Sequence, residues 1–380
     1  MRKYAVVLVV VLVSMLLAVS GGVQAAAFSQ TDAALAWMRD AQEPDGGFSS
    51  GFAEGSDFGT TAEVILAVAA TGQDISTWLS SDGLSPLDYV ASQVSSGQVT
   101  DVGNVSKAVF VAVAAGLDPR DFGGRDLVAQ VMAAQDSATG MFGDTLFKHA
   151  YAVLALHNAG EPLPSSAAAV LTSQFTDDGG WALFGGTTPG MADTNTTAFA
   201  MQALIGAGEP GAAGGALSYL RRMQNEDGGF PYQKPSAWGT ETDANSTAVV
   251  IMALNALDEP MGNWVVNGTD PLGALLALWD GSSGAYFWQA SVPFANMLAT
   301  AQAVQAAEGM TFAAVPRVGA SRPPSAAVGG AVQVPLMPES GSIYGPGVGL
   351  ALLGALVLVG AAAALRRSQI PCAVVSGRLR

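Results

Sequence analysis

The sequence predicts an all-α chain whose main domain is an α6/α6 toroid, with one transmembrane helix near the C-terminus. Three observations carry this. A glutamine–turn–aromatic motif recurs through the chain. An amphipathic helix pattern precedes each copy, and a helix that is apolar nearly all round follows it. Helices of the second kind cannot line an open solenoid, so a closed ring with them inside is the arrangement that buries them.

The copies read QEPDGGF from Gln42, QDSATGMF from Gln135, QFTDDGGW from Gln174 and QNEDGGF from Gln224. A weaker copy, QVSSGQV, starts at Gln93, and WDGSSGAYFW starts at Trp279 without the glutamine. A spacing of roughly 40 to 55 residues suits helix-pair repeats. The outer-helix pattern is seen in TDAALAWMRDAQ, GRDLVAQVMAAQ and GGALSYLRRMQ. The inner pattern is seen in TTAEVILAVAATG, FKHAYAVLALHNAG, TTAFAMQALIGAG and STAVVIMALNAL. Most of the inner helices stop at a glycine, as a left-handed C-terminal cap requires.

Outside the repeats the chain divides by composition. Residues 1–25 have the parts of a signal peptide: Arg2 and Lys3, an apolar run, and small residues at Val23 and Ala25. The repeats fill 28–309. Residues 310–346, rich in Pro, Gly and Ala, read as a linker. The apolar run 347–365 is long enough for a bilayer core. Four arginines and no acid follow it in the short tail 366–380, which predicts a cytoplasmic tail and a toroid held outside the cytoplasmic membrane.

Charge and composition exclude several functions. Of 31 acids, 30 lie between Asp32 and Glu308, against 8 of the 16 bases. That field disfavours nucleic acid as a partner. The only cysteine, Cys372, lies beyond the apolar run, and there are two histidines. The exported domain therefore forms no disulfide and no thiolate zinc site. No metal site and no cofactor is expected.

The pattern helix–Gln–x(3–5)–Gly–x–(Trp/Phe)–helix resembles the QW-type repeat of the prenyltransferase and squalene-cyclase superfamily, over residues 28–309. The resemblance implies the toroid and leaves the function open. Class II cyclases of this kind use a DxDD acid motif, which is absent. Protein prenyltransferases use an Asp/Cys/His zinc site and thioester domains a Cys-Gly-Glu-Gln, and neither is present. The expected role is therefore binding of a small-molecule, glycan or peptide ligand at one mouth of the barrel. The alternatives are a divergent cyclase or carbohydrate-active enzyme, and a carrier of the vitamin B12 type.

Candidate ligand residues cluster where the inner helices begin. Asp57, Asp193, Asp243 and Asn296 each stand four residues before a Thr-Ala pair, where a helix N-cap belongs. The loops before these positions are elaborated in copies four, five, six and one. They bring Phe184, Tyr232, Trp238 and Glu241 to the same rim, with aromatic and carboxylate chemistry suited to a ligand. Three polar residues interrupt the apolar inner helices: Glu63, one turn into the first, and Lys107 and His149, read at the Thr position of copies two and three. Glu63 in an apolar lumen would have a raised pKa and is the candidate acid.

Overall fold

A computed structural model describes residues 29–51, 54–237 and 239–318. The expected signal peptide and the apolar run 347–365 lie outside these residues. Among the described residues no helix is long and apolar enough to cross a membrane. The chain divides into a toroid unit and a second unit, of which only Ser236, Ala237 and Gly239 are described. The toroid is described by itself.

Six inner helices form a closed ring: α2 (Phe58–Ala70), α4 (Val102–Ala114), α6 (Leu146–Asn158), α8 (Thr194–Gly206), α11 (Ala244–Ala256) and α13 (Met297–Ala307). Each packs on the next, and α13 packs back on α2. The outer helices are α1 (residues 29–40), α3 (Pro86–Ser95), α5 (Leu127–Ala133), α7 (Ser166–Ser173), α10 (Leu217–Met223) with the short α9 (Pro210–Gly214) before it, and α12 (Pro271–Leu276). The seam joins the first and last repeats. The Thr31 hydroxyl donates to Glu308 Oε1 (3.0 Å), and the Tyr286 hydroxyl to Gln30 Oε1 (3.1 Å).

The recurring glutamine has a structural cause. Gln224 Nε2 donates to Gly228 O within its own turn (2.9 Å) and to Trp264 O of the next repeat (2.7 Å). Gln42 makes the same two bonds, to Gly46 O and Trp78 O. One amide thus closes a turn and fastens two repeats. Gly228 sits at φ 91°, and a Cβ there would meet Thr269 O at 2.6 Å. The aromatic that follows is fixed through its backbone. Phe48, Trp181, Phe230 and Tyr286 each donate N–H to the hydroxyl of Thr61, Thr197, Thr247 or Thr300 on the inner helix. In copy three His149 Nδ1 accepts the same bond from Phe142 (3.1 Å), and Nε2 faces Ala167 O (3.0 Å). Burial lowers the His149 pKa and keeps the ring neutral, as an accepting Nδ1 requires.

Each inner helix starts at a side-chain cap. Asp57, Asp101, Thr145, Asp193, Asp243 and Asn296 accept first-turn N–H groups. In copy five Asp258 (φ 54°) takes the left-handed position after the helix that Gly72 (φ 77°) fills in copy one.

Residues 310–318, which composition assigns to the start of a linker, pack into the ring. Phe312 is fully buried. Its ring meets Phe110, Tyr151 and Phe199 with centroids 5.2–5.9 Å apart. Two inner-helix amides hold its backbone: Gln202 Oε1 accepts from Phe312 N (2.7 Å), and Asn158 Nδ2 donates to Phe312 O (2.8 Å). Asn158 Oδ1 accepts from Val315 N (2.9 Å), and Val318 N reaches Ala114 O (2.9 Å). The chain therefore stoppers its own lumen from the C-terminal end of the inner helices.

Candidate functional site

The N-caps fix a common register for the lumen. Two residues after each cap stand Gly59, Gly103, Phe147, Asn195, Asn245 and Leu298, all partly exposed. Six after each cap, one turn deeper, stand Glu63, Lys107, Tyr151, Phe199, Val249 and Gln302. Contacts between neighbouring helices come from these tiers. Phe147 meets Phe199, Asn245 Nδ2 donates to Gln302 Oε1 (2.8 Å), and Lys107 pairs with Glu63.

This register corrects one expectation. Copy two is capped by Asp101, so Val105 and not Lys107 occupies the Thr position. Lys107 is the equivalent of Glu63. Its Nζ lies 2.7 Å from Glu63 Oε1 and 5.8 Å from the Tyr151 ring centroid. Gln305 Nε2 donates to Glu63 Oε2 (2.9 Å) and to Glu63 O (3.0 Å). The surroundings of Glu63 are thus polar on both sides, where the sequence led one to expect an apolar lumen. Glu63 is 1% exposed and Lys107 16%, so solvent reaches this floor from the mouth. Below it Phe312 fills the lumen.

Loops of copies four, five and six wall the mouth and bond to one another and to the start of α6. Leu146 N donates to Leu183 O (2.9 Å), and Thr194 N to Tyr232 O (2.8 Å). Gln233 Nε2 donates to Gly190 O (3.1 Å) and Ala192 O (3.0 Å). Glu241 accepts from Ser291 N (2.9 Å) and Ser291 Oγ (2.5 Å), in the turn between β1 (Phe287–Gln289) and β2 (Val292–Ala295). Glu241 is therefore a tie between loops. Phe184 (61% exposed), Met191 (59%) and Phe294 (45%) project from these loops. Met191 and Phe294 were not singled out in the sequence, where single exposed apolar residues carry no signal. Trp238 lies outside the described residues.

The other predicted residues divide between rim and wall. Asp57 Oδ1 caps α2 through Thr60 N (2.7 Å), and its Oδ2 accepts from Ser50 N (2.9 Å). Asn296 caps α13 through Ala299 N (2.9 Å). His149 is a buried wall residue. Tyr232 is half-buried; its hydroxyl meets the Asp193 carboxyl and its backbone N–H that of Asp243. Asp193 and Asp243 are both buried caps. Burial pushes the Asp193 carboxyl up to about 6 and that of Asp243 up to about 7, against the hydrogen bonds each accepts.

A folded pKa of about 7 lies above the unfolded value, so the stability linked to Asp243 is full at acid pH and is lost as pH rises through 7. Asn296 shows that asparagine caps an inner helix equally well. Asp243→Asn is therefore expected to stabilise the protein at pH 8 by on the order of 3 kcal/mol. Chemical denaturation at pH 5 and pH 8 checks this: the gain should shrink at the lower pH.

The fold so assembled is an α/α toroid. Solved structures share it at low sequence identity. The type II terpene cyclase MstE from Scytonema, in complex with geranylgeranyl dihydroxybenzoate, is 13% identical with TM-score 0.54, over 77% of this chain and 99% of that one. A glycosidase in complex with glucose is 10% identical with TM-score 0.52, over 76% and 98%. Haptocorrin in complex with Cbi is 14% identical with TM-score 0.50, over 76% and 68%. No family model matches the chain. No curated protein matches its sequence.

Proposed function

We propose that this toroid is a binding protein, held outside the cytoplasmic membrane, that takes a small-molecule, glycan or peptide ligand at the mouth where the inner helices begin. The observation that carries the reading is Phe312. Its ring fills the lower lumen, so the space that admits a ligand lies above the Glu63–Lys107 floor. Exposed Phe184, Met191 and Phe294 stand on the loops beside it, where a rigid scaffold commonly places recognition. Fold relatives that hold geranylgeranyl dihydroxybenzoate, glucose and Cbi are in keeping with a ligand-binding toroid.

One observation favours an enzyme as the second reading. Asp243, with a carboxyl near pKa 7 at the mouth, has a proton affinity suited to general acid catalysis at neutral pH. Its Oδ1 is engaged as a cap by Ser246 N (2.7 Å), which argues for structure instead.

A thermal-shift panel of malto-oligosaccharides, geranylgeraniol, cobalamin and short apolar peptides separates the readings. Binding by at least one class is expected, and Phe184→Ala with Met191→Ala should weaken it several-fold. Binding unchanged in that double variant would refute the mouth as the site. Turnover of a bound compound, abolished by Asp243→Asn, would replace the binding reading with the enzymatic one.

A further inference from the structure

The repeat makes each inner helix a control for the others. Two residues after the caps, Phe147, Asn195, Asn245 and Leu298 put side chains at the mouth, while α2 and α4 carry Gly59 and Gly103. The two glycines differ. A Cβ on Gly103 would meet Lys148 Cγ at 3.3 Å, so that glycine makes room for the lysine stem. The stem passes it to bring Lys148 Nζ 2.6 Å from Asp101 Oδ2. A Cβ on Gly59 would meet, among the described residues, only Asp57 Oδ1, at 3.5 Å. Gly59 lies within α2, where glycine is a poor helix former, so neither space nor conformation requires it. The missing side chain leaves a notch one turn above Glu63.

The walls around this notch are of two kinds. From α4 through α2 and α13 to α11 they are polar. Lys107 Nζ has one described hydrogen bond, to Glu63 Oε1 (2.7 Å), and an ammonium carries three donors. Further round, Asn245 Nδ2 donates to Gln302 Oε1 (2.8 Å), which leaves the Asn245 carbonyl oxygen and the Gln302 amide donors to whatever enters. On α6 and α8 the wall is aromatic. Phe147 is partly exposed at the mouth, and its ring lies 4.5 Å from that of Tyr151 and 4.9 Å from that of Phe199. The Tyr151 ring centroid is 5.8 Å from Lys107 Nζ, so the two kinds of wall meet there.

An occupant of this space needs donors and acceptors along one edge and an apolar face. Charge narrows the choice. Both oxygens of Glu63 are engaged, by Lys107 and Gln305, and both of Asp57, by Thr60 N and Ser50 N. A cationic head finds no unspent carboxylate there. Lys148 is shared by Asp101 and Asp144, and Lys107 is paired, so an anionic head finds no unanswered cation among the described residues. A pyranose ring meets all three conditions. Its edge carries hydroxyls that both donate and accept, its face carries C–H groups, and it has no charge. Slightly positive C–H groups suit the negative face of an aromatic ring.

We infer that the mouth takes an uncharged sugar, with its hydroxyl edge in the Gly59 notch over Lys107 and its C–H face against Phe147. This deepens the binding reading above and rests on it. Gly59 is then the specificity-determining position, because the side chain it lacks would occupy the place of the ring's edge.

The test titrates the full-length protein by calorimetry with glucose, galactose, mannose, N-acetylglucosamine and their short oligomers. Glucuronate and glucosamine are the charged counterparts. At least one uncharged sugar should bind, and more tightly than either charged one. Gly59→Leu should weaken that binding roughly tenfold while melting at or above the parent, since leucine fills the notch and is the better helix former. The double variant Glu63→Gln, Lys107→Met should weaken it several-fold without stranding a charge. Two results overturn the proposal: no uncharged sugar binds, or one binds and neither variant weakens it. Binding of geranylgeraniol or cobalamin alone, lost in the Phe184→Ala, Met191→Ala protein, also overturns the sugar and the notch, but it keeps the mouth as a site.

Discussion

Replacing Phe312 by alanine is expected to destabilise the toroid by about 3–5 kcal/mol, the cost of a large aromatic lost from a packed core. The ring is fully buried and touches three other aromatics at centroid separations of 5.2–5.9 Å. The hole would open at the centre of the ring, bounded by helices that close on one another, so little collapse can relieve it. The thermal midpoint should fall by roughly 10 °C. The cavity left behind is apolar on most sides, and such cavities bind benzene. Benzene should therefore return part of the lost stability to Phe312→Ala and none to the parent protein. Asn158→Ala is a second route to the same effect. It leaves Phe312 O and Val315 N without their side-chain partner, at about 1–3 kcal/mol for each buried group. If both variants melt with the parent, the C-terminal segment is not a structural part of the toroid.

The repeat and its consequences were legible because they rest on local chemistry. Glutamine, turn glycine and aromatic recur since each is needed in nearly every copy. The caps were legible at Asp57, Asp193, Asp243 and Asn296 because an Asp or Asn before a small polar turn is a strong start signal. Copy two departs from the pattern. It lacks both the glutamine–aromatic pair and the threonine, so its cap Asp101 and the partnership of Lys107 with Glu63 were hidden. The plug was hidden for a different reason. Residues 310–318 are small and proline-bearing, which composition reads as linker. Two signals did exist. Met310, Phe312 and Val315 are closely spaced apolar residues, and Asn158 and Gln202 are amides inside apolar helices. Each amide proves to be half of a long-range pair, 154 and 110 residues from Phe312, and no local rule joins such halves.

The burial of the Asp193 carboxyl was not legible at all. Sequence shows an acid before Thr-Asn-Thr, which is a sufficient cap, and gives no reason to ask about the second carboxylate oxygen. Only the ring brings Leu183 and Tyr232, from the loops of copies four and five, to that carboxyl. Internal repetition thus serves twice: it makes the fold readable, and its exceptions mark where something individual is built.

The Glu63–Lys107 pair is the other exception with a large expected effect. Glu63→Gln leaves the Lys107 ammonium at the lumen floor without its carboxylate. Breaking a buried pair by removing one partner costs about 3–5 kcal/mol, and the 16% exposure of Lys107 puts this case at the lower end. Gln305 changes its role as well, since its Nε2 would meet an amide where it now meets a carboxylate. Lys107→Met alone strands the buried Glu63 and is expected to cost at least as much. The double variant Glu63→Gln, Lys107→Met removes both charges and should lie within about 1 kcal/mol of the parent. The coupling is then the larger part of each single effect, and urea denaturation of all four proteins measures it. Because the floor faces the mouth, the same four proteins report on ligand recognition. If Lys107 serves only to neutralise Glu63, the double variant binds as the parent does. If it contacts the ligand, the double variant folds normally and binds several-fold more weakly.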